Sequence, residues 1–230
     1  MDPKNDRFSF RCICRTGMEC GSFFADRVMI GARCCGSVVR LPDKDGESAR
    51  RLSFERETSR LKLILAEPRD WKLLLPMFAG KENHHYEISA PEDKKTLIRS
   101  LKQCQFPRGF KKSFSLRFRA VLKETAETIG TVSLTTEPLF LTGVIGFMFH
   151  HPFWGRGFGT EAVTEIMKFG FEEMNFHRME AACDDQNEVC IRLLRRVGFE
   201  DEGCIRHWVY HPERGWVNRT LFGKLNPAQI

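Results

Sequence analysis

The sequence lacks long apolar runs. Nowhere do its 230 residues approach the roughly 18–20 consecutive apolar residues that a membrane-crossing helix requires, which excludes an integral membrane protein. The first six residues lack the charged and then apolar pattern of a secretory signal, so we expect an intracellular, cytoplasmic chain. Internal repeats and low-complexity tracts are absent as well.

Metal-ligand spacing is also missing, although the sequence contains nine cysteines. Structural zinc sites usually take ligands in pairs with about two to four residues between them. Only one residue separates Cys12 from Cys14, and Cys34 and Cys35 are adjacent, so we expect no metal. An odd number of cysteines leaves at least one thiol free, and a disulfide framework is not expected in a reducing compartment.

Positive charge is in slight excess. The sequence has 36 Lys and Arg residues against 30 Asp and Glu residues, a net charge of +6. Such a balance suits an anionic small molecule, for example a nucleotide-bearing cofactor, as readily as it suits RNA. A dense basic stripe with interleaved aromatic residues is absent, so no nucleic-acid partner is expected.

The composition that is present, 42% hydrophobic and 29% charged, is typical of a globular protein. Residues 1–57 have clustered cysteines and patchy apolar residues, and we interpret them as an N-terminal extension of unknown role, with organelle targeting as a weaker alternative. Residues 58–227 form the predicted main domain. Hydrophobic periodicity there predicts strands at 61–65, 114–120, 129–134, 144–149, 179–183, 204–210 and 216–225, and helices at 70–78, 92–101, 160–174 and 187–197. The result is a mixed α/β domain of ordinary size.

A glycine-rich loop follows the strand at 144–149 and leads into a helix. Gly155, Gly157 and Gly159 let the backbone turn its N–H groups toward one point, and the helix N-terminus adds a partial positive charge. Together they predict an anion cradle suited to a diphosphate, with Arg156 as an added cation.

Other families build similar cradles. A triphosphate-binding loop needs Lys followed by Ser or Thr after its last glycine, and Phe158 and Gly159 stand there instead. The dinucleotide fingerprint fits better, but Thr160 occupies its third glycine position and four residues separate the loop from its strand. A glycine-rich loop that serves packing alone is a third possibility.

At these residues the sequence resembles the GCN5-related N-acetyltransferases (GNAT), and within them the RimJ/RimL-type branch. The resemblance rests on Arg60-Leu61, on the stretch from Trp154 to Ala162, on Asn187-Glu188-Val189-Cys190, and on the segments 194–199 and 202–204. It covers about residues 59–225. It implies one mixed, mostly antiparallel sheet with a splayed pair of strands, flanked by helices: the acyl-CoA N-acyltransferase fold.

The resemblance also implies how acetyl-CoA binds as cosubstrate. Backbone groups near Phe147, Phe149 and His150 would hydrogen-bond the pantetheine arm as an added strand would. Asn187 would contact that arm, although it is equally suited to cap the next helix, and Arg196 would reach the ribose phosphate unless it is a solvated surface residue. The diphosphate would lie on the loop residues Trp154, Gly155, Arg156, Gly157, Phe158, Gly159 and Thr160.

Acetyl transfer further needs a neutral amine, an oxyanion donor and a proton for the departing thiolate. Candidate bases are Glu137, Asp184 and the histidines 150 and 151, none of which stands out, and backbone N–H groups around Phe149 are the candidate oxyanion donors. Many superfamily members carry a tyrosine where this sequence has Leu194, and the RimJ/RimL branch often has a serine where this sequence has Cys190. Cys190 is therefore the candidate acid, with water as the alternative.

The sequence thus predicts an enzyme that transfers an acetyl group from acetyl-CoA directly to a primary amine in a ternary complex. The acceptor would be a protein N-terminus or a small-molecule amine. A catalytically weak CoA-binding module and a dinucleotide-binding oxidoreductase are the alternatives. The pattern does not specify the acceptor or the oligomeric state.

Overall fold

The structure is a computed structural model that describes residues 55–80, 83, 85–87, 93–104, 113–137 and 141–229, with only the backbone of residue 137. Upstream of these it gives the backbone of short antiparallel pairs, Cys12–Ile13 with Glu19–Cys20 and Met29–Ile30 with Val39–Arg40. The side chains of residues 1–54, which make up most of the predicted cysteine-rich extension, lie outside the described residues. The chain divides into two units, Met1–Leu52 with Arg108–Phe110, and Ser53–Pro107 with Lys111–Ile230.

The second unit is built on an eight-stranded sheet. The alternating apolar patterns predicted seven of these strands, and the structure adds a short one before them. The strands are β1 (Glu55–Glu57), β2 (Leu61–Leu65), β3 (Phe114–Leu122), β4 (Thr128–Glu137), β5 (Thr142–Phe149), β6 (Arg178–Asp184), β7 (Glu200–His211) and β8 (Gly215–Leu225). Their order across the sheet is β7-β8-β6-β5-β4-β3-β2-β1.

Two central strands, β5 and β6, are parallel and separate along their length. They pair from Thr142 opposite Arg178 to Val144 opposite Glu180, and no further. Beyond that point β5 continues along β4 and β6 continues along β8, so the sheet opens between them. All other neighbouring strands are antiparallel. The predicted fold class, a mostly antiparallel sheet with one splayed pair, is confirmed.

Helices cover both faces of the sheet. They are α1 (Trp71–Ala79), α2 (Lys94–Gln103), α3 (Phe158–Lys168) and α4 (Glu188–Arg196). Helices α1 and α2 share an apolar cluster that includes Leu74, Phe78 and Leu97, and Met148 of β5 packs against it. On the opposite face Phe118 of β3 contacts Phe169, which follows α3. No helix in the described part of the chain is long and apolar enough to cross a membrane.

Helix boundaries differ from the predicted ones mainly around α3. The predicted helix at 160–174 begins two residues earlier and passes into a π-helical turn at Phe169–Glu173. Phe169 and Gly170 of this turn are buried. Helix α4 ends as predicted, because Gly198 adopts φ +87° directly after it.

Candidate active site

The opening between β5 and β6 forms a cleft of about 690 Å³. Its walls come from both separated strands, from the loop before α3 and from one face of α4. Of the predicted site residues the cleft brings together Phe147, Phe149, Trp154, Gly155, Gly157, Phe158, Gly159, Thr160, Asp184, Asn187, Cys190 and Arg196. His150 and Arg156 do not line it, and the side chain of Glu137 lies outside the described residues.

The register of β5 decides which of its backbone groups face the cleft. His150 donates its N–H to the carbonyl of Ile129, next to β4, over 2.9 Å. Backbone polar groups in an antiparallel pair alternate between facing the partner strand and facing away from it. Phe149 and Phe147 therefore turn their N–H and C=O groups away from β4 and toward the gap. These two residues present the edge that an extended ligand can join, whereas the amide of His150 is used within the sheet.

The carbonyl of Phe149 already has one partner. The indole Nε1 of Trp154 donates to it over 2.6 Å, and this bond folds the loop back onto the end of β5. Asn83 fixes the same loop from the other side, because its Oδ1 accepts the N–H of His151 over 3.0 Å and its Nδ2 donates to the carbonyl of Met77. The loop after β5 is thus held in place before any ligand binds.

The glycine-rich loop ends at an uncapped helix N-terminus. Gly155 and Gly157 have φ values of +72° and +81°, which favour glycine strongly. Gly157 is the N-cap of α3, and no side chain caps this end. The first amides of a helix have no partner within it, so the N–H groups from Phe158 to Thr160 are open to an acceptor. The local geometry fits a bound diphosphate.

Gly159 has a different role from the other two glycines. A Cβ at this position would lie 2.8 Å from Cδ1 of Leu193 on α4. The absence of a side chain therefore lets α3 and α4 approach closely. The packing explanation applies to this glycine, and the conformational explanation applies to Gly155 and Gly157.

The start of the domain clamps α3. Glu161, in its first turn, accepts hydrogen bonds from Thr58 Oγ1, from Ser59 Oγ at 3.1 Å, and from the N–H and Nε of Arg60 at 2.8 and 2.7 Å. Arg60 Nη1 also donates to the carbonyl of Arg156 over 3.0 Å. Burial raises the pKa of Glu161, but these hydrogen bonds outweigh it and lower the pKa to about 2. Glu161 is therefore ionised, and Arg60 compensates its negative charge beside the proposed diphosphate site.

Three arginines lie near the loop and α4. The Arg156 guanidinium lies 5.1 Å from the ring centre of Phe158, outside the cleft lining. Arg196 and Arg192 are exposed and do line the cleft. Arg192 also pairs with Glu188 one helical turn earlier, over 2.9 Å. The sequence analysis found Arg196 but missed Arg192, although the spacing of four residues on one helix face could have indicated it.

Asn187 and Cys190 adjoin each other at the start of α4. Asn187 is the N-cap, and its Oδ1 accepts the N–H of Cys190 over 3.0 Å. The capping role is therefore present, and the amide NH₂ group remains as a donor at the cleft. The Cys190 thiol hydrogen-bonds the Cys183 thiol of β6; this contact, burial and the nearby charge of Glu87 raise its pKa well above the usual value. Cys190 thus keeps its proton at neutral pH.

Asp184 is buried and fully engaged. Its two carboxylate oxygens accept hydrogen bonds from Arg214 over 2.8 and 2.9 Å, and Oδ1 also accepts the N–H of Gln186. Arg214 continues to the loop after α1, where its guanidinium lies 5.0 Å from the ring centre of Tyr86. This geometry favours a positioning role for Asp184 over proton transfer.

Sequence analysis missed several residues that the fold brings to the cleft. They come from the connection between α1 and α2, from the neighbouring strands, and from the final hairpin. Long-range strand pairing and tertiary packing place them, so no local motif marks them. They include His85, Tyr86, Glu87, Arg117, Ser133, Cys183 and Trp208. Among the described residues, no group of three or more His, Cys, Asp or Glu side chains is arranged to hold a metal ion.

The sequence of this chain is similar to those of known acetyltransferases. A family profile described as the acetyltransferase (GNAT) domain matches residues 60–200. The uncharacterized N-acetyltransferase YoaA of Bacillus subtilis is 25% identical over 67% of this chain and 87% of its own length. The uncharacterized N-acetyltransferase p20 of Bacillus licheniformis is 34% identical over 40% of this chain, and the match spans about half (52%) of p20. The spermidine N(1)-acetyltransferase of Escherichia coli K12 is 34% identical over 23% of this chain and 28% of its own.

Solved structures share the fold. A GNAT-family acetyltransferase from Bacillus anthracis superposes with a TM-score of 0.65 at 19% identity, over 75% of this chain and 98% of its own. The protein α-N-acetyltransferase RimL, in complex with coenzyme A, gives a TM-score of 0.66 at 17% identity, over 74% and 97% of the two chains. The dinucleotide-fold alternative is therefore wrong. The family profile covers more than half of the sequence and includes the whole glycine-rich loop, and the chain belongs to the GNAT acetyltransferase family.

Proposed function

We propose that the protein is an acetyl-CoA-dependent N-acetyltransferase that transfers the acetyl group directly to a primary amine in a ternary complex. The observation that carries this proposal is the opening between β5 and β6. It joins an unpaired strand edge at Phe147 and Phe149 to the uncapped N-terminus of α3. A long ligand with an amide-rich arm and a diphosphate matches both features.

Each part of the cleft then has an assigned task. The amides from Gly155 to Thr160 would hold the diphosphate, and Arg60 compensates the charge of Glu161 in the first turn of the same helix. The backbone of Phe147 and Phe149 would bind the pantetheine arm, with Asn187 on its other side. Arg192 and Arg196 would contact the ribose phosphate of the coenzyme.

Chemistry would take place where the strands separate. Acetyl-CoA supplies an activated thioester. The N–H of Phe149 faces the gap and is placed to donate to a developing oxyanion. Glu87 lines the same cleft, and its charge acts on the Cys190 thiol, so we assign it as the candidate base. An N-terminal amine has a pKa of about 7.7–8.0 and needs only a modest base at neutral pH.

Cys190 would serve the departing thiolate as a hydrogen-bond donor. Its raised pKa ensures that the proton is present at neutral pH. The same shift makes full proton transfer to another thiolate unfavourable, because an ordinary thiol has a pKa of about 8.5. The proton that the base takes from the amine would therefore reach the departing sulfur through water, with Cys190 stabilising the negative sulfur meanwhile.

Two measurements test the proposal. Thermal unfolding with acetyl-CoA, CoA or NAD should show a rise in melting temperature with the first two ligands. Free-thiol release should then be followed with a panel of peptides, amino acids and polyamines, and at least one amine should accelerate it. Stabilisation by NAD alone, or no transfer to any amine despite acetyl-CoA binding, would contradict the proposal.

Some of the sequence-based expectations are retained as part of this proposal. They are a cytoplasmic location, a reaction without a metal, no nucleic-acid or membrane partner, and an N-terminal extension ending near residue 57. Proteins and spermidine are acceptors named for relatives, and both classes belong in the assay panel.

A further inference from the structure

A row of three residues crosses the sheet from the gap toward α2. Gly146 on β5 lies opposite Ser133 on β4, and Ser133 lies opposite Arg117 on β3. All three line the cleft, on the face that α1 and α2 cover. A Cβ at Gly146 would come within 2.9 Å of Ser133 Oγ. The absence of a side chain at Gly146 therefore leaves space beside Ser133. The row forms a slot that leads from the reaction centre to Arg117.

Arg117 closes the far end of the slot. Its Nη1 donates to Ser100 Oγ of α2 over 3.2 Å, and its guanidinium lies 5.1 Å from the ring centre of Phe78 of α1. Among the residues that the structure describes, no carboxylate oxygen is recorded within 4 Å of this half-buried guanidinium. A guanidinium has five N–H donors and cannot be deprotonated in a protein. Among the described residues, the Ser100 hydroxyl and the Phe78 ring are its partners, and they leave most of these N–H donors unused.

None of the described carboxylates of the cleft forms an ion pair with Arg117. Asp184 is paired with Arg214. Glu87 lines the cleft as well, and its charge acts on Cys190. The slot beside β3 and β4 is instead lined by the hydroxyls of Thr131, Ser133 and Thr135. This end of the cleft therefore offers one cation among neutral groups, which favours an anion.

We propose that Arg117 binds a carboxylate of the acceptor, so that the preferred acceptor is a peptide N-terminus followed closely by an acidic side chain. This inference rests on the proposed acetyl transfer. Adjacent strands are about 4.8 Å apart, so β3 lies roughly 10 Å from β5. An extended peptide advances about 3.3 Å per residue, and side chains of its second and third residues reach that distance. A polyamine would place a positive charge against Arg117.

Competition between matched acceptors tests the inference. Hexapeptides with Ser first and either Glu, Gln or Lys at the second and third positions are compared by kcat/KM, together with spermidine. The wild-type protein should prefer the Glu peptide to the Gln peptide by at least about 10-fold. Arg117→Gln should lower this ratio by about 10- to 100-fold. Arg117→Glu should shift the preference to the Lys peptide.

Two further variants separate recognition from folding. Arg117→Lys keeps the charge and should keep much of the selectivity, which a purely structural role would not predict. Arg99→Gln removes an exposed arginine from α2 and should leave the Glu-to-Gln ratio unchanged. Acetyl-CoA affinity and melting temperature are measured for each variant.

The outcomes are distinct. The wild type and Arg117→Gln could both acetylate peptides with the same ratio of kcat/KM for the Glu peptide to kcat/KM for the Gln peptide. That result overturns the role of Arg117 and leaves the acetyltransferase proposal intact. A preference for spermidine over every peptide also overturns it. Failure to acetylate any acceptor overturns both proposals.

Discussion

Replacing Gly155 by Asp should weaken acetyl-CoA binding because it places a negative charge beside the proposed diphosphate site. Gly155 has φ +72°, and a Cβ added there meets no atom within 4 Å. The new side chain would thus extend into open space at the cleft. Gly157 is less suitable, since a Cβ there lies 3.4 Å from Nη2 of Arg60, which would partly neutralise the carboxylate.

The expected loss follows from the charge separation. A carboxylate roughly 5 Å from a phosphate, at an effective dielectric constant between about 20 and 80, opposes binding by about 1–3 kcal/mol per charge. The dissociation constant should therefore rise about 10- to 100-fold. Added salt should reduce the difference, because it screens exposed charges.

Gly155→Asn is the matched control. Asn has nearly the shape of Asp and also tolerates the left-handed conformation, but it carries no charge. Gly215→Asp adds the same charge at another left-handed glycine (φ +73°), at the start of β8 and outside the cleft lining. Titration calorimetry with acetyl-CoA should rank Gly155→Asp well below both controls. Equal affinities for Gly155→Asp and Gly155→Asn would refute the electrostatic reasoning.

Three further predictions concern the clamp, the buried ion pair and the thiol. Hydrogen bonds hold the pKa of Glu161 at about 2 in the fold against an ordinary 4.5, so its ionised form stabilises the protein above pH 4.5 and this contribution is lost as the pH falls toward 2. The stability difference between the wild type and Glu161→Gln, about 1–2 kcal/mol at neutral pH after solvent screening, should therefore shrink on acidification in urea titrations. Asp184→Asn should lower the unfolding free energy by about 2–4 kcal/mol in urea at pH 7, because the partly buried Arg214 loses its counter-charge. Cys190→Ala should lower kcat by about 10-fold in the thiol-release assay, whereas Cys190→Ser, with the stronger hydroxyl donor, should retain turnover.

Each of these predictions has a contrary result. A pH-independent difference for Glu161→Gln would mean that the clamp does not lower the pKa of Glu161. A loss below about 0.5 kcal/mol for Asp184→Asn would show that its ion pair with Arg214 is not important for stability. Equal kcat for Cys190→Ala and the wild type would remove Cys190 from the reaction.

Local sequence signals predicted the strand-loop-helix unit of the site well. The alternation in β5, the glycines before α3 and the asparagine before α4 each determine backbone geometry within a few residues. Gly155 and Gly157 adopt the left-handed conformation that the loop requires, and Asn187 caps its helix. Gly159 was grouped with the first two, although contact with Leu193 explains it, and that contact involves another helix.

Non-local contacts account for what the sequence did not show. Arg117 reaches the cleft because β3, β4 and β5 pair in one particular register. Arg214 occupies the carboxylate of Asp184 from 30 residues away, which no motif indicates. The backbone direction of His150 likewise depends on its pairing with Ile129. Local patterns therefore located the cosubstrate loop, whereas the acceptor side depends on tertiary structure.

A crystal structure of the complex with coenzyme A would show whether the cosubstrate enters the gap between β5 and β6. We expect the pantetheine arm between these strands, hydrogen-bonded to the backbone of Phe147 and Phe149, and the diphosphate on the amides from Gly155 to Thr160. A closed gap between these strands, or a diphosphate bound away from the start of α3, would contradict this expectation.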